Sequence, residues 1–267
     1  MPTYTAFSVT ARRFRRGLLA GVTCLLGAAT ALRAQSVPEL VAQGDRESAA
    51  RRTAPALALY ERALQADPRA YAALCGAARD AVDLGEFERN EALRSAYYAK
   101  ATAYARRAVA ANPGDAEGHF HLARALGRTA LALGPRDRVK YAVEVREQAL
   151  KALELHARHA GALHVMGVWN AEVMRLNGFS RAVAKAFLGG QVLSSANWNE
   201  AARYLEQAVA VEPERLVHRL DLARIYRDMG RTDDARVAYR AALGCPLTDA
   251  NDARYRQSAE EELRKLR

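Results

Sequence analysis

Histidine and arginine are the residues in this chain whose spacing could do chemistry. Five of the six histidines, His119, His121, His156, His159 and His164, fall between positions 119 and 164. A metal centre built on a helix needs ligands three or four residues apart, so that they share a face. Only His156 and His159 have that spacing, and they stand at an expected helix end. His119 and His121, two apart, point to different faces. No cysteine accompanies them, so they read as packing and surface histidines, and no metal is expected. The chain has no GxSxG elbow, phosphate loop, HExxH, CxxC or glycine-rich dinucleotide fingerprint. The expectation is a binding protein that is not an enzyme and carries no cofactor.

The arginines acquire meaning only from the elements that carry them. In ALALYERALQADP, Ala63 and Ala56 precede Pro68 by five and twelve residues. Ala108 and Ala101 precede Pro113 in the same way, and Ala208 and Ala201 precede Pro213. A fourth copy has Ala152 and Val145 before Ala157, with alanine in place of proline. Small residues seven apart lie on one helix face, where they let a second helix come close. The proline ends one helix, and another apolar helix follows each stop. Two-helix units of this kind cannot bury their faces alone, so they stack. The fold class is therefore all-α, a right-handed helical solenoid with an inserted helix between its third and fourth repeats.

Eleven residues after each stop stand Arg79, Arg124, Val168 and Arg224. First helices line the concave surface of such a stack, so equivalent positions form a row along it. Arg227, one turn beyond Arg224, extends the row. Guanidinium groups in a row suit the carboxylates of an acidic peptide. Asp80, Asp83 and Asp228 are close enough in sequence to pair with the same arginines instead.

The stretch ALHVMGVWNAEVMR holds Trp169, twelve residues after its stop, where the other units have Asp80, Ala125 and Ile225. SRAVAKAFLGG then suggests a short extra helix ended by Gly189 and Gly190. His164, Trp169, Arg181 and Phe187 are expected to anchor that insertion. Asn197, three before Glu200, resembles a capping box opening the next helix. SAEEELRKLR reads as a polar helix covering the last repeat.

Residues 216–249, LVHRLDLARIYRDMGRTDDARVAYRAALGCPLTD, resemble a complete tetratricopeptide repeat, with Ala223, Tyr226, Gly230, Ala235, Tyr239 and Ala242 at its signature places. From about residue 100 onward the chain resembles the regulator of microtubule dynamics family and its bacterial relatives. His164, Gly167, Trp169, Arg181, Ala184, Ser194, Ser195 and Ala201 carry that resemblance. It implies a helical-repeat adaptor. The chain departs from the family in its amino-terminal segment, and in GGQVL where the family has a proline-containing link.

Residues 1–34 read as a signal peptide. Arg12, Arg13, Arg15 and Arg16 precede the uncharged run Gly17–Leu32, and Ala34 offers a small residue for cleavage. The expected location is exported, periplasmic or extracellular; an uncleaved amino-terminal membrane anchor is the alternative. Once that segment is cleaved, no stable membrane insertion is expected. Five of the basic residues precede Gln35, so residues 35–267 carry 35 basic against 30 acidic residues, a net +5. That modest excess gives no reason to expect a nucleic acid partner. Cys75 and Cys245 fall on apolar helix positions and read as buried free thiols. The functional expectation is a scaffold binding a protein or peptide on its concave face. The alternative is a small-molecule binder or enzyme with a pocket around Trp169 and the inserted helix.

Overall fold

The computed structural model describes residues 35–133, 135–176 and 193–266. The amino-terminal segment and the expected short helix, with Arg181 and Phe187, lie outside the described residues. Contacts divide the chain at Ala34, and the fold below is that of Gln35–Arg267. Among the described residues there are eleven helices and no strand. They are α1 (Val37–Ala49), α2 (Thr53–Ala66), α3 (Tyr71–Glu86), α4 (Glu91–Ala111), α5 (Ala116–Ala132), α6 (Pro135–Leu155), α7 (Ala160–Arg175), α8 (Trp198–Val211), α9 (Leu216–Asp228), α10 (Thr232–Leu243) and α11 (Asp252–Lys265).

The helices pack as five hairpins, α1 with α2, α3 with α4, α5 with α6, α7 with α8 and α9 with α10, and α11 closes the stack. Successive first helices, α1, α3, α5, α7 and α9, also touch one another, so they form the inner layer. The stops work through a shared turn. Asp67 N–H donates to Ala63 O at 2.9 Å, Asn112 to Ala108 at 2.9 Å, His156 to Ala152 at 2.8 Å and Glu212 to Ala208 at 2.9 Å. Ala157 stands in the third of these turns, which is therefore set by the alanine-lined helix end and does not require proline.

The paired small residues do what their spacing predicts. Ala56, Ala63, Ala101, Ala108, Ala152, Ala201 and Ala208 are wholly buried. Ten residues after each stop lie Ala78, Ala123, Gly167 and Ala223, also at close approaches. A Cβ on Gly167 would fall 2.6 Å from Leu205 Cγ and 3.1 Å from Ala201 O, which is why α7 and α8 can pack there only on a glycine. Local caps set the helix starts. Ser36 and Glu39 form a full capping box on α1, Asn90 accepts from Ala92 and Leu93, and Asn197 accepts from Glu200. Gly230, at φ +75°, ends α9 in the left-handed conformation that a tight turn into α10 needs.

The last helix does more than cover the final repeat. Tyr255 of α11 stacks edge-on against Phe87, just beyond α3, with ring centroids 5.5 Å apart. Asn251 donates to Asp83 O at 3.0 Å, and Arg51 to Leu247 O at 3.2 Å. The carboxyl end thus reaches the first two repeats across the inner face and narrows the concave side to a partly open space.

Candidate functional site

That space is a cavity of about 300 Å³ on the inner face, and α3, α5, α7 and α9 all contribute to its lining. A second cavity of about 290 Å³ shares Val168, Glu172, Asp221 and Tyr255 with it. Val168 stands at the place in the repeat where the other units have arginine. Val168 lines both cavities, and Arg79 and Arg124 line the first with it.

The arginine row is where the spacing puts it, on the inner face, and its members are engaged with the chain's own carboxylates. Arg79 Nε donates to Asp80 at 2.8 Å and its Nη2 to Tyr60 Oη at 2.9 Å. Arg124 binds Asp83 at 2.5 Å, and Arg128, one turn on, binds Glu86 at 2.5 Å. Arg224 binds Asp221 at 2.9 Å and Glu262 at 2.6 Å. Arg227 binds Asp228 at 2.9 Å and Glu262 at 3.0 Å. The pairings of Arg79 with Asp80 and of Arg227 with Asp228 are those that sequence proximity allowed, whereas Asp83 pairs with Arg124, 41 residues away, and not with its neighbour Arg79. Arg124 and Arg128 cross from α5 to α3, and Arg224 and Arg227 from α9 to α11, so these guanidinium groups clamp successive inner helices together. Burial works against the charged forms, but the facing carboxylates outweigh it and raise the pKa of Arg124, Arg128 and Arg224.

The histidines, which sequence spacing left scattered, are brought together with carboxylates. His159 caps α7 by accepting from Ala162 N–H through Nδ1, so its Nε2 carries the proton and donates to Glu117 at 3.2 Å. His121 Nε2 lies 3.4 Å from the other oxygen of Glu117. Further along, His164 and His218 meet Nδ1 to Nδ1 at 2.9 Å. His164 Nε2 is 3.3 Å from Asp221, and His218 Nε2 is 3.3 Å from Glu212. Burial pushes His121 down to about 3 and His218 down to about 4, so both rings are neutral near pH 7. Hydrogen bonding from the neighbouring imidazole lowers Glu117 and Glu212 and keeps them ionised. Burial alone would raise Asp221, yet His164 and the Arg224 charge hold it well below the usual carboxylate range.

Trp169 is buried, at 6% exposure, and its Nε1 donates to Ala142 O at 2.8 Å. One edge of it lines the cavity, beside Val168 and Val173. It shares a core cluster with Leu193 and Ala196, the residues that follow the undescribed span 177–192. Its equivalents Asp80, Ala125 and Ile225 are buried too, so this position is an interior one in every unit. The described partners of His164 lie on α9. Arg181 and Phe187 lie outside the described residues. Sequence reasoning missed Glu117, Glu212, Asp221 and His218 as site residues. The repeat spacing held a signal for one of them, since Asp221 and His121 both stand eight residues after their stops. Cys75 and Cys245 are free, and burial pushes the Cys75 thiol up to about 12. Among the described residues no group of three or more histidine, cysteine or acidic side chains is placed to hold a metal ion.

Stacked hairpins with an inner layer of first helices and a concave cavity define a tetratricopeptide-like helical-repeat protein. Residues 35–267 match the family described as regulator of microtubule dynamics protein 1-3, and the chain belongs to that family. It is similar to regulator of microtubule dynamics protein 1 of Mus musculus, 26% identical over 215 residues, covering 76% of this chain and 68% of the mouse protein. The Bos taurus protein of the same name is 28% identical over 140 residues, covering 52% of this chain and 43% of its own length. Among solved structures, a thermophilic tetratricopeptide-repeat protein of Thermus thermophilus superposes with a TM-score of 0.60 at 25% identity. That match covers 85% of this chain and 100% of the other.

Proposed function

We propose that the chain is a non-enzymatic scaffold that takes a short segment of a partner protein into the concave cavity beside Val168. The place of Val168 in the lining carries this reading. Three of the four equivalent inner positions hold clamped arginines; Val168 at the fourth lines the cavity of about 300 Å³ together with Arg79 and Arg124. A helix is 10–12 Å across with its side chains, so a few extended residues fit a space of about 300 Å³ more readily than a helix does. The family membership supports an interaction role, since stacked helical repeats of this kind present concave binding surfaces.

An acidic partner would compete with Asp83, Asp221 and Glu262 for guanidinium groups they already hold, so the arginine row serves the fold first. Export belongs to the same proposal and rests on the basic and apolar segments of residues 1–34. A small-molecule binder is the second reading, favoured by a cavity at the lower end of ordinary ligand pockets and by the Trp169 edge in its wall.

Val168→Arg tests the scaffold reading. It restores the residue that the other units carry, so the fold is retained while the cavity is filled. Affinity capture with the full chain and with the variant, from an envelope extract, should recover proteins with the first that are absent with the second. An unchanged set of captured proteins would refute the reading.

A further inference from the structure

The inner helices α7 and α9 touch one another and are tied near both ends. Near their carboxyl ends, Arg175 donates to Asp228 at 2.8 Å. Near their amino ends the tie is a pair of imidazoles, His164 and His218, which meet Nδ1 to Nδ1 at 2.9 Å with ring centroids 4.9 Å apart. The seam between α3 and α5 is different, because Arg124 and Arg128 hold it by charge.

Two nitrogens at that separation leave room for one hydrogen. One ring donates it and the other accepts, and the limit is the same whichever ring is the donor. A second hydrogen would set two N–H groups against each other, so the closed pair holds at most one at the junction. Parted rings can both be charged. Below about pH 6.5, the ordinary histidine value, the closed seam therefore binds fewer protons than the parted one, and acid favours parting. Burial acts in the same direction, pushing His218 down to about 4.

The surrounding charges do not remove the conflict. Asp221 on α9 and Glu212 just after α8 each lie 3.3 Å from an Nε2, so neither is placed to accept a second Nδ1 hydrogen. Both carboxylates are held below their ordinary values, so they stay ionised while the rings take up protons. Arg215, the N-cap of α9, disfavours a charged His218 and is bound to Asp249. Arg128 on α5 and Arg224 on α9 act on Asp221; they pair with Glu86 and with Glu262 of α11 respectively. His159, the N-cap of α7, acts on Glu212 and faces Glu117 of α5. In the outer layer, Lys151 pairs with Glu154 on α6 and Arg236 with Asp233 on α10.

We infer that the contact of His164 with His218 is a latch released by acid, in which a second proton at the facing nitrogens parts the amino ends of α7 and α9 about the Arg175 and Asp228 pair. Both rings line the cavity of about 300 Å³, so release widens it at that end. The inference concerns the seam and holds whatever the cavity takes.

The test is amide exchange of the full chain at pH 7, 6 and 5, corrected for the intrinsic pH dependence of exchange, with ¹⁵N signals of the histidine rings recorded alongside. One extra proton favours opening by up to about tenfold per pH unit below the ordinary histidine value. Protection at residues 164–168 and 220–224 should fall by about fivefold to tenfold between pH 6 and pH 5, and recover on return to pH 7. Residues 171–175 and helices α3 and α5 should lose less. His164→Asn and His218→Asn each keep an amide at the junction but cannot be charged there. In a variant whose thermal midpoint shows it to be folded, the extra fall should vanish. An undiminished fall in a folded variant overturns the inference, as does equal loss of protection across α3, α5, α7 and α9 in the unmodified chain, the mark of general acid unfolding. The unmodified chain also decides the matter if neither variant folds: ring signals showing both imidazoles charged while protection at residues 164–168 is unchanged overturn the latch.

Discussion

The Arg124 guanidinium on α5 meets the Asp83 carboxylate on α3 at 2.5 Å, joining the inner helices of two successive repeats. Both side chains are largely buried, at 21% and 17% exposure, so solvent competes weakly with the pair. Removing one partner leaves an uncompensated charge in the interior. Arg124→Ala should therefore cost about 3 kcal/mol of stability, and Asp83→Asn a comparable amount. In a double-mutant cycle followed by urea denaturation, the two should couple by about 1–3 kcal/mol. Additive effects would show that the pair does not hold α3 to α5.

Two glycines should respond to alanine with opposite signs. At Gly167 the added methyl would meet Leu205 Cγ at 2.6 Å and Ala201 O at 3.1 Å, so α7 and α8 must separate. The expected loss is about 1–2 kcal/mol, overpacking outweighing the gain in helix propensity. At Gly127, within α5, a Cβ would meet nothing within 4 Å among the described residues. Gly127→Ala should stabilise by about 0.5–1 kcal/mol, because alanine loses less backbone entropy in a helix. Thermal midpoints of the two variants, measured side by side, check the contrast.

Stability should fall on mild acidification. His121 and His218 are held neutral by burial, down to about 3 and about 4, below the ordinary histidine value of 6.5. Between those values and 6.5 the unfolded chain binds protons that the folded chain refuses, so unfolding is favoured as pH drops through 6.5. Glu117 and Glu212, both lowered from 4.5, add to the loss only once pH falls below that value. Denaturation between pH 6 and pH 5 should show these two rings taking up about two protons on unfolding. His121→Gln should reduce that uptake by about one. An unchanged pH dependence in this variant would place the titrating group elsewhere.

The closure made by α11 can be tested at Tyr255. Its ring is buried against Phe87, and its hydroxyl accepts from Arg128 at 3.3 Å. Tyr255→Ala should cost about 3 kcal/mol, the usual scale for emptying a buried aromatic site. Amide exchange should quicken at the end of α3, although the mutated residue is far from it in sequence. Faster exchange confined to α10 and α11 would reduce the last helix to a simple end cap.

Much of the architecture was legible along the chain because a repeat writes its packing into local spacing. The alanine pairs at five and twelve residues before each stop mark faces that are wholly buried, and Val145 substitutes at one of them at 5% exposure. The arginine row was legible as a row, since equivalent positions of stacked hairpins align whatever their partners. Its pairing was partly legible, through Asp80 and Asp228. The bridges to Asp83, Glu86 and Glu262 were not, because they depend on which helices lie side by side. Spacing along one helix can exclude a shared face, as it does for His119 and His121, but it cannot bring His164 to His218.

By itself, the sequence determined the hairpin units, their stops and the inner position of Arg79, Arg124, Val168 and Arg224, because helix periodicity and helix ends are local properties. Tertiary structure alone decided that three of those four positions hold clamped arginines and that the fourth lines a cavity with two of them. It also decided that α11 reaches back to Phe87 and narrows the space, and that Glu117, His121, Glu212 and His218 share its wall. Those relationships depend on superhelical winding, which sums small rotations over several repeats and has no counterpart in the spacing within any one of them.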